Sequence, residues 1–408
     1  MNILYINHYA GSPQYGMEYR PYYLAKEWIK NGHKVVMIAA SFSHIRFKNP
    51  EFNGEIKKEV IEGIEYVFIK TNKYRGNGIK RGINILNFVC KLIKNHKKFA
   101  REINPDIVIA SSTYPFDIYP AYIISRVSKA KLIFEVHDLW PSTLIELNDI
   151  TKWHPFVLIV QLAEGFAYTH ADKVVSILPK ALDYMVGRGL VHEKFVHIPN
   201  GIDKEEWLSF NDQLPVGHNK IIERLKKEGK FLVGYAGSFS VSNALDYFIE
   251  SAVYLEDLPV VLILLGKGSE EEKLKRYAIK NNLKNVIFLP PVPKNVIPSL
   301  LGMMDVLYKG SIKCNIYKYG ISPVKLMDYM MAAKPIIHAI EAANDPVSES
   351  GCGISVPPED PIAIAEAIKK LFFMSTIERE EMGMKGREYV IKNHDYKVLA
   401  KKFLEVIL

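Results

Sequence analysis

Short apolar runs alternate with amphipathic segments of helical character through the first 200 residues. Residues 3–7 form an apolar run, a helix is predicted at residues 19–30, and residues 33–39 form a second apolar run. This order predicts two parallel strands joined by a crossover helix. Further strands are predicted at residues 59–60, 64–69, 106–110, 131–136, 173–177 and 195–199, and further helices at 84–103, 118–127, 156–169 and 180–188.

The same alternation returns in the second half of the chain. Strands are predicted at residues 231–236, 260–265, 286–289, 306–308, 335–338 and 353–356, and helices at 244–255, 270–281, 296–302, 324–333 and 362–373. We therefore expect an α/β protein of two Rossmann-like domains, residues 1–205 and 206–393, whose parallel sheets face each other across a cleft. A last helix, within residues 394–408, is expected to pack back on the first domain. Ligands of such sheets bind beyond the carboxyl ends of the strands.

Composition narrows the class of partner. The 408 residues include 53 Lys and Arg against 45 Asp and Glu, a net charge of +8, which favours an anionic partner such as nucleotide phosphates or an acidic membrane face. Three cysteines, none in a CxxC pair, argue against a disulfide framework or a zinc site. No DxD element stands at a convincing strand end, so no essential metal is expected, and no cofactor is expected. No aromatic-and-basic signature or spaced Cys/His set indicates a nucleic-acid partner.

The apolar runs also bear on location. None approaches the roughly 20 residues that a membrane-spanning helix requires. The N-terminal run lacks the basic segment of a signal peptide, so it is interpreted as a buried strand. We expect a cytoplasmic protein, and a peripheral position on the inner face of the membrane stays open. The helix predicted at residues 84–103 mixes lysines with large apolar residues, a pattern that suits docking on an anionic bilayer or, equally, a surface helix covering the domain core.

The stretch of residues 317–335, YKYGISPVKLMDYMMAAKP, combines a turn with a short helix. Val324, Met327 and Met331 share spacings of three and four, which predicts a packing face. Lys325 and Asp328 lie on a neighbouring face near the helix start, where unpaired N–H groups suit a phosphate. An acid one turn further could accept hydrogen bonds from ribose hydroxyls. A nucleotide diphosphate fits this pattern, and an ordinary helix with a surface ion pair between Lys325 and Asp328 explains it equally well.

Two loops that follow predicted strands carry small residues suited to an anion. Residues 10–20 include Gly16 and Arg20 without the spacing of a dinucleotide-binding fingerprint, so a tight turn is an equal alternative. In residues 234–243, Gly237 and the hydroxyl of Ser238 could contact phosphate or cap the next helix.

A third loop begins with His137 and Asp138, at the carboxyl end of the strand predicted at residues 131–136. A histidine there could donate to a sugar hydroxyl or stabilise a developing charge. A structural histidine is the alternative.

Several runs together resemble a known family over most of the chain. The chain looks like a family-4 retaining glycosyltransferase of GT-B architecture. Within that family it is most similar to the O-antigen and capsule branch described as N-acetyl-fucosamine-transferase-like. The matching runs are YGMEYRPYYLAKEWIKNGHKV (15–35), FEVHDLWP (134–141), HIPNGID (197–203), GYAGSFSVSNALD (234–246), GISPVKLMDYM (320–330) and NDPVSESGCGISVPPEDP (344–361).

The resemblance implies roles for particular residues. His137, with Asp138 beside it, would sit near the reacting sugar, Gly16 would meet the pyrophosphate, and Asp328 would hold the ribose as the second acid of an E-x7-E element. The donor set would also include Gly237, Ser238, Tyr317, Gly320, Lys325 and Leu326, and the acceptor side would include Tyr15 and Arg20.

The sequence departs from the family pattern at three places. Gly320 stands eight residues before Asp328 where the family has its first acid, and Tyr317 would take that place if Ser322 and Pro323 are an insertion. The Arg and Lys that many members place after the Gly237 loop are missing, which makes Lys325 the candidate replacement cation. Ala333 replaces the glycine of the family's M-A-A-G-K-P run.

The implied activity is retaining transfer, without a metal, of an N-acetylated hexose from a UDP-sugar to a polyprenyl-diphosphate-linked saccharide at the inner membrane face. The acceptor hydroxyl would attack on the front face, and the departing phosphate would accept its proton. Two alternatives remain, a UDP-sugar 2-epimerase of the same architecture and a non-catalytic sugar-nucleotide-binding partner subunit.

Overall fold

The structure is a computed structural model that describes residues 1–76, 78–148 and 150–407. The strands are β1 Asn2–Ile6, β2 Lys34–Ala40, β3 Ile56–Ile61, β4 Ile64–Ile69, β5 Ile107–Ala110, β6 Lys131–Val136, β7 Lys173–Ser176, β8 Phe195–His197, β9 Phe231–Ser238, β10 Val260–Lys267, β11 Val286–Leu289, β12 Val306–Gly310, β13 Ile336–Ala339 and β14 Gly353–Val356. The α-helices are α1 Arg20–Lys30, α2 Ile79–Lys94, α3 His96–Ile103, α4 Ile118–Ser128, α5 Ser142–Asn148, α6 Pro155–His170, α7 Leu182–Val186, α8 Lys204–Ser209, α9 Val216–Lys227, α10 Leu245–Glu250, α11 Glu271–Lys280, α12 Ile297–Gly302, α13 Val324–Met331, α14 Pro346–Ser350, α15 Pro361–Phe373, α16 Thr376–Asn393 and α17 Tyr396–Ile407.

The chain divides into two compact units. The first contains residues 1–200 and 396–408, and the second contains residues 201–395. The boundaries expected from the sequence were 205/206 and 393/394.

The first unit is built on an eight-stranded sheet of order β3-β4-β2-β1-β5-β6-β7-β8, in which every pair is parallel except the edge pair β3 and β4. Helix α17 packs on α1, since Trp28 Nε1 donates to the Ala400 carbonyl at 3.1 Å and the Trp28 and Phe403 rings lie 5.2 Å apart. The last helix therefore belongs to the core of this unit.

The second unit is built on a six-stranded parallel sheet of order β11-β10-β9-β12-β13-β14. Its strands are apolar on both faces, as expected for a sheet covered by helices on both sides. Leu307 packs in the same core cluster as Leu326 of α13. Tyr308 points to the opposite face, where its ring stacks on Phe248 at 4.0 Å. This alternation sets which side chains of β12 lie on the side of α13.

These units confirm the predicted fold class of two parallel-sheet, Rossmann-like domains.

The prediction of one long helix at residues 84–103 was wrong. That segment is two helices, because α2 ends at Lys94 and α3 begins at His96. The Asn95 side chain donates to the Lys91 carbonyl at 2.8 Å, and such local bonds compete with helix continuation. Helices α8 and α9 were missed because they bury few side chains and therefore carry a weak apolar period.

Helix α13 begins at Val324 as predicted and ends at Met331. Met327 and Met331 are buried as expected, whereas Val324 is exposed, so its place in the predicted packing face was wrong. Ala333, which stands where the family has glycine, has a φ of 53°. A left-handed backbone explains why glycine suits this position.

Candidate functional site

A lysine without a carboxylate partner lies at the start of α13. Lys325 Nζ donates to the Tyr235 hydroxyl at 2.7 Å and lies 4.5 Å from the centre of that ring. Gly237, near the carboxyl end of β9, has a φ of 154°, and a Cβ placed there would be 2.1 Å from Lys325 Nζ. A side chain at residue 237 would therefore displace the ammonium group. We call Lys325, Tyr235, Gly237, Lys309 and Ser311 the lysine pocket.

Lys309 supplies a second cation to the lysine pocket. It lies at the carboxyl end of β12, and only 6% of it is exposed. Its Nζ donates to the Ser311 hydroxyl at 3.0 Å and to the Gly310 carbonyl. Among the residues that the structure describes, no carboxylate lies within ion-pair distance of Lys309 or Lys325.

Burial lowers the pKa of both lysines. Burial lowers the pKa of Lys325 to about 7, and the neighbouring charge of Lys309 adds to that effect. Burial alone lowers the pKa of Lys309 to about 8. An anion bound between them would reverse both shifts, because opposite charge favours the protonated form. The electrostatics of the lysine pocket therefore favour an anionic ligand.

Asp328 lies one turn after Lys325 on α13. Burial raises the pKa of its carboxyl to about 6, against the opposing effects of Lys294 and the Trp207 side chain. No ion pair joins Asp328 to Lys325 in the described part of the chain, which removes the simple surface ion pair as the explanation of this motif. A ribose-binding role for Asp328 stays a prediction.

Tyr317 and Gly320 occupy the short turn before α13. Burial raises the pKa of the Tyr317 hydroxyl, and the neighbouring Ser311 side chain opposes that shift. Gly320 has a φ of 100°, in the region where residues with a side chain are strained. This backbone explains why no acid stands at residue 320, and the neighbouring Ser311 favours Tyr317 as the residue that faces the lysine pocket.

Ser238 and Leu326 complete the predicted donor set. Ser238 is exposed, and its carbonyl accepts from the Tyr235 hydroxyl at 2.7 Å and from Asn243 Nδ2 at 3.0 Å. The Leu326 side chain is fully buried in the core of the second unit, so the predicted ligand contact would have to come from its backbone. Both remain predictions as ligand contacts.

In the first unit, His137 belongs to a buried group of ionised and polar side chains. Its Nε2 lies 2.9 Å from the Ser111 hydroxyl and 3.4 Å from Glu135 Oε2. Arg20 pairs with Glu135 at 2.9 Å, and the hydroxyls of Ser111 and Tyr5 donate to the same carboxylate. We call Arg20, Glu135, His137, Ser111 and Tyr5 the ion cluster.

Charges in the ion cluster compensate one another. Burial would raise the pKa of Glu135, but Arg20 and His137 outweigh it and hold that pKa far below its usual range. Burial likewise opposes protonation of His137, and the bonds with Glu135 overcome it and raise the pKa of the imidazole. The imidazole is therefore oriented through Nε2, which is what a group that positions a sugar hydroxyl needs.

Asp138, next in the chain, is exposed, yet the protein packed around it raises the pKa of its carboxyl to about 6. His137 opposes this shift and Glu18 adds to it. Its catalytic role stays a prediction.

The two residues predicted on the acceptor side have internal contacts. Besides Glu135, the Arg20 guanidinium donates to the Pro199 carbonyl and, at 2.9 Å, to the Ile198 carbonyl. The Tyr15 hydroxyl donates to Glu59 Oε2 at 2.7 Å. These placements favour supporting roles for both side chains.

Gly16 lies in a tight loop rather than at an open backbone edge. Its N–H donates to the Ser12 carbonyl at 2.7 Å, its carbonyl accepts from the Ser12 N–H at 3.0 Å, and Phe47 packs over it. The pyrophosphate contact expected for Gly16 stays a prediction.

Sequence reasoning missed Lys309, Ser111 and Glu135. A signal was available for two of them, since Lys309 and Glu135 are charged residues at the ends of apolar strands, and a buried charge needs a partner or a ligand. The structure supplies that partner for Glu135 and not for Lys309.

Two features of the described residues concern a membrane and a metal ion. No helix there is long and apolar enough to cross a membrane. No group of three or more His, Cys, Asp or Glu side chains there converges on a common point as metal ligands would.

GT-B glycosyltransferases have two Rossmann-like units, and the second unit here carries the lysine pocket at the carboxyl ends of its strands. The sequence model "Glycosyltransferase Family 4" matches residues 15–206, and "Glycosyl transferases group 1" matches residues 218–389. The chain belongs to the family-4 glycosyltransferases, as the sequence runs indicated.

Individual relatives are distant. WcaI of Escherichia coli (strain K12), named as a colanic acid biosynthesis glycosyl transferase, is 21% identical over 319 residues, 75% of each chain. The probable glycosyltransferase WbjE of Pseudomonas aeruginosa is 20% identical over 349 residues, 83% of this chain and 82% of that one. The crystal structure of Anabaena HepE in complex with UDP and glucose has a TM-score of 0.69 at 16% identity, covering 100% of this chain and 99% of that one, and supports the fold.

Proposed function

We propose that the protein transfers a sugar from a UDP-sugar to a lipid-linked saccharide in surface polysaccharide synthesis. The observation that carries the proposal is the lysine pocket, where Lys325 lies against Gly237 and has no ion-pair partner among the described residues. The diphosphate of a nucleotide sugar has the charge that such a group of cations favours. The UDP found in HepE and the colanic acid assignment of WcaI support the choice of donor and of pathway class.

In the proposed reaction, the bond between the sugar's anomeric carbon and the diphosphate breaks, and the acceptor hydroxyl forms the new bond on the same face. The acceptor proton passes to the departing phosphate. Lys325 stabilises the charge that develops on the leaving group. His137, oriented by Glu135 and Ser111, positions a hydroxyl of the donor sugar. Retention, metal independence and an N-acetylated hexose as the transferred sugar are parts of this proposal.

A lipid-linked acceptor would bring the protein to the inner face of the membrane. The apolar residues of α2 that suggested bilayer docking mostly face inward, because Ile85, Phe88, Val89 and Leu92 are buried. A second set on the same helix is exposed, namely Ile79, Ile83 and Leu86, at spacings of four and three. We assign peripheral membrane contact to this second set, which has the exposed Lys80 beside it.

One observation favours a second candidate. Gly320 cannot supply the acid that the family places there, as expected for a subunit that binds a sugar nucleotide without turning it over. The UDP-sugar 2-epimerase alternative has no comparable support.

The proposal is tested by a thermal-shift screen of UDP-, GDP- and CMP-sugars, followed by turnover of the stabilising donor with a membrane extract. We expect UDP-sugars to raise the melting temperature and the extract to accept the sugar. Stabilisation by only a non-uridine nucleotide would overturn the donor. Donor consumption without extract would indicate an epimerase, and binding with no turnover in any extract would indicate the non-catalytic subunit.

A further inference from the structure

Lys309 faces the same side of its sheet as α13. Leu307, two residues earlier on β12, packs in the cluster that contains Leu326 of α13, and alternate residues of a strand share a face. His338 of β13 is the register partner of Lys309 and lies on that face together with Ile336. The sheet and the first turn of α13 thus bring Lys309 and Lys325 to one place.

Asp345, on the loop that follows β13, accepts from His338 Nδ1 at 2.7 Å and from the Val347 N–H at 3.1 Å, so its carboxylate is engaged by neighbours other than Lys309. The Ser355 hydroxyl also donates to Asp345. Burial lowers the pKa of His338 even though Asp345 opposes the shift, and Lys309 adds to the lowering.

A lysine that is almost fully buried ordinarily has a carboxylate beside it. Lys309 has only a hydroxyl and a carbonyl, both neutral. Burying an ammonium group among neutral groups costs free energy, and a bound anion would offset that cost.

We propose that Lys309 is a second cation for the donor diphosphate, acting with Lys325 in place of the cations missing after the Gly237 loop. The inference rests on the proposed function and adds to it a residue that sequence resemblance does not indicate. Ser311 accepts from Lys309 Nζ at 3.0 Å and so holds the ammonium group in place.

A consequence is that diphosphate binding takes up protons. The ligand favours charged lysines, so it raises pKa values that lie at about 7 for Lys325 and about 8 for Lys309 in the free protein. Affinity should therefore be highest near pH 6.5–7 and fall as pH rises above these values. Asp328 acts on Lys325 and opposes the lowering of its pKa, and its own pKa of about 6 leaves it ionised above pH 7. The other titratable groups around Lys309 are His338, Asp345 and Tyr317. His338 and Asp345 keep their charge states over this range because both pKa values are lowered below their ordinary values, and burial keeps Tyr317 neutral by raising its pKa.

The test is calorimetric titration of UDP and of inorganic pyrophosphate from pH 6.5 to 9, in buffers of different ionisation enthalpy. The variants are Lys309→Met, Lys325→Met and, as a matched surface control four residues away, Lys313→Met, whose lysine pairs with Glu341 at 3.0 Å. We expect Lys309→Met to weaken UDP binding about tenfold at pH 7, the effect of losing one charged contact. It should also reduce proton uptake at pH 8, whereas Lys313→Met should behave as wild type.

The outcomes separate the two claims. If UDP binds and Lys325→Met weakens it, but Lys309→Met keeps wild-type affinity and proton uptake, the role of Lys309 is overturned and the proposed function stands. If pyrophosphate but not UDP binds in a Lys309-dependent way, the Lys309 site stands and the uridine donor does not. If neither ligand binds the wild-type protein, both claims are overturned. Thermal melting of each variant checks folding, and replacing a buried ammonium by Met is expected to leave it intact.

Discussion

The ion cluster and the lysine pocket handle charge in opposite ways. In the ion cluster of the first unit, Glu135 is held between Arg20 and His137, so each buried charge has a partner of opposite sign. In the lysine pocket of the second unit, Lys309 and Lys325 form hydrogen bonds with neutral groups and no ion pair with any described residue. A compensated cluster stabilises the fold and orients its histidine, whereas an uncompensated pocket is costly until a ligand fills it. The contrast supports our proposal that the ion cluster positions a substrate group and that the lysine pocket binds an anion.

The largest effect should come from breaking the compensated cluster. Glu135→Gln leaves the buried Arg20 guanidinium without its carboxylate, and loss of one partner of a buried pair costs about 3–5 kcal/mol. Urea unfolding followed by a signal from the first unit measures the change, with Glu366→Gln on the surface of α15 as control. A loss no larger than that of the control would mean that the cluster is not held by charge compensation.

Removing the oriented imidazole should affect turnover rather than folding. We expect His137→Ala to lower turnover at least about tenfold, or about 1.4 kcal/mol of transition-state stabilisation. The exposed His192→Ala serves as control. Unchanged turnover with a correctly folded His137→Ala variant would remove this residue from the reacting centre.

A methyl group in the lysine pocket should weaken donor binding. Gly237→Ala places its Cβ 2.1 Å from Lys325 Nζ and so forces the ammonium away, whereas Gly302→Ala in α12 meets nothing within 4 Å. We expect a loss of UDP affinity of about fivefold, or about 1 kcal/mol, for Gly237→Ala and none for Gly302→Ala. Equal affinity of the two variants would show that Lys325 need not lie at Gly237 to bind.

The smallest effect concerns pH and stability. The pKa values of Lys309 and Lys325 are lowered on folding to about 8 and about 7, so between pH 7 and 10 the unfolded chain binds more protons and stability rises with pH. Lys309→Met removes part of this dependence, and we expect it to stabilise the second unit by on the order of 1 kcal/mol at pH 7. The gain should shrink by pH 10. Thermal unfolding at both pH values measures it, and a constant gain would contradict the assigned cause.

The sequence was sufficient for the two-unit α/β architecture, because each buried parallel strand is an apolar run and each crossover helix has its own period. Helix α13 was found for the same reason. The break at Asn95 was missed because it depends on a single side chain that bonds back to its own helix. Helices α8 and α9 escaped because they expose most of their surface.

The candidate site was only partly predictable. Motif position led to Lys325, Gly237 and His137, and the structure gives Lys325 and Gly237 direct contact although 88 residues separate them. The proposed role of Lys309 could not be inferred from the sequence. It depends on which side chains surround the ammonium group, and only the folded structure shows them. The role of Glu135 could likewise be inferred only from the structure, which places Arg20 beside it.

The most direct test of the central claim is a crystal structure of the protein with UDP. We expect the diphosphate of UDP to lie within hydrogen-bond distance of Lys325 Nζ, beside the backbone of Gly237. A structure in which UDP binds elsewhere, while Lys325 keeps its hydrogen bond to Tyr235 with no phosphate near it, would contradict the account.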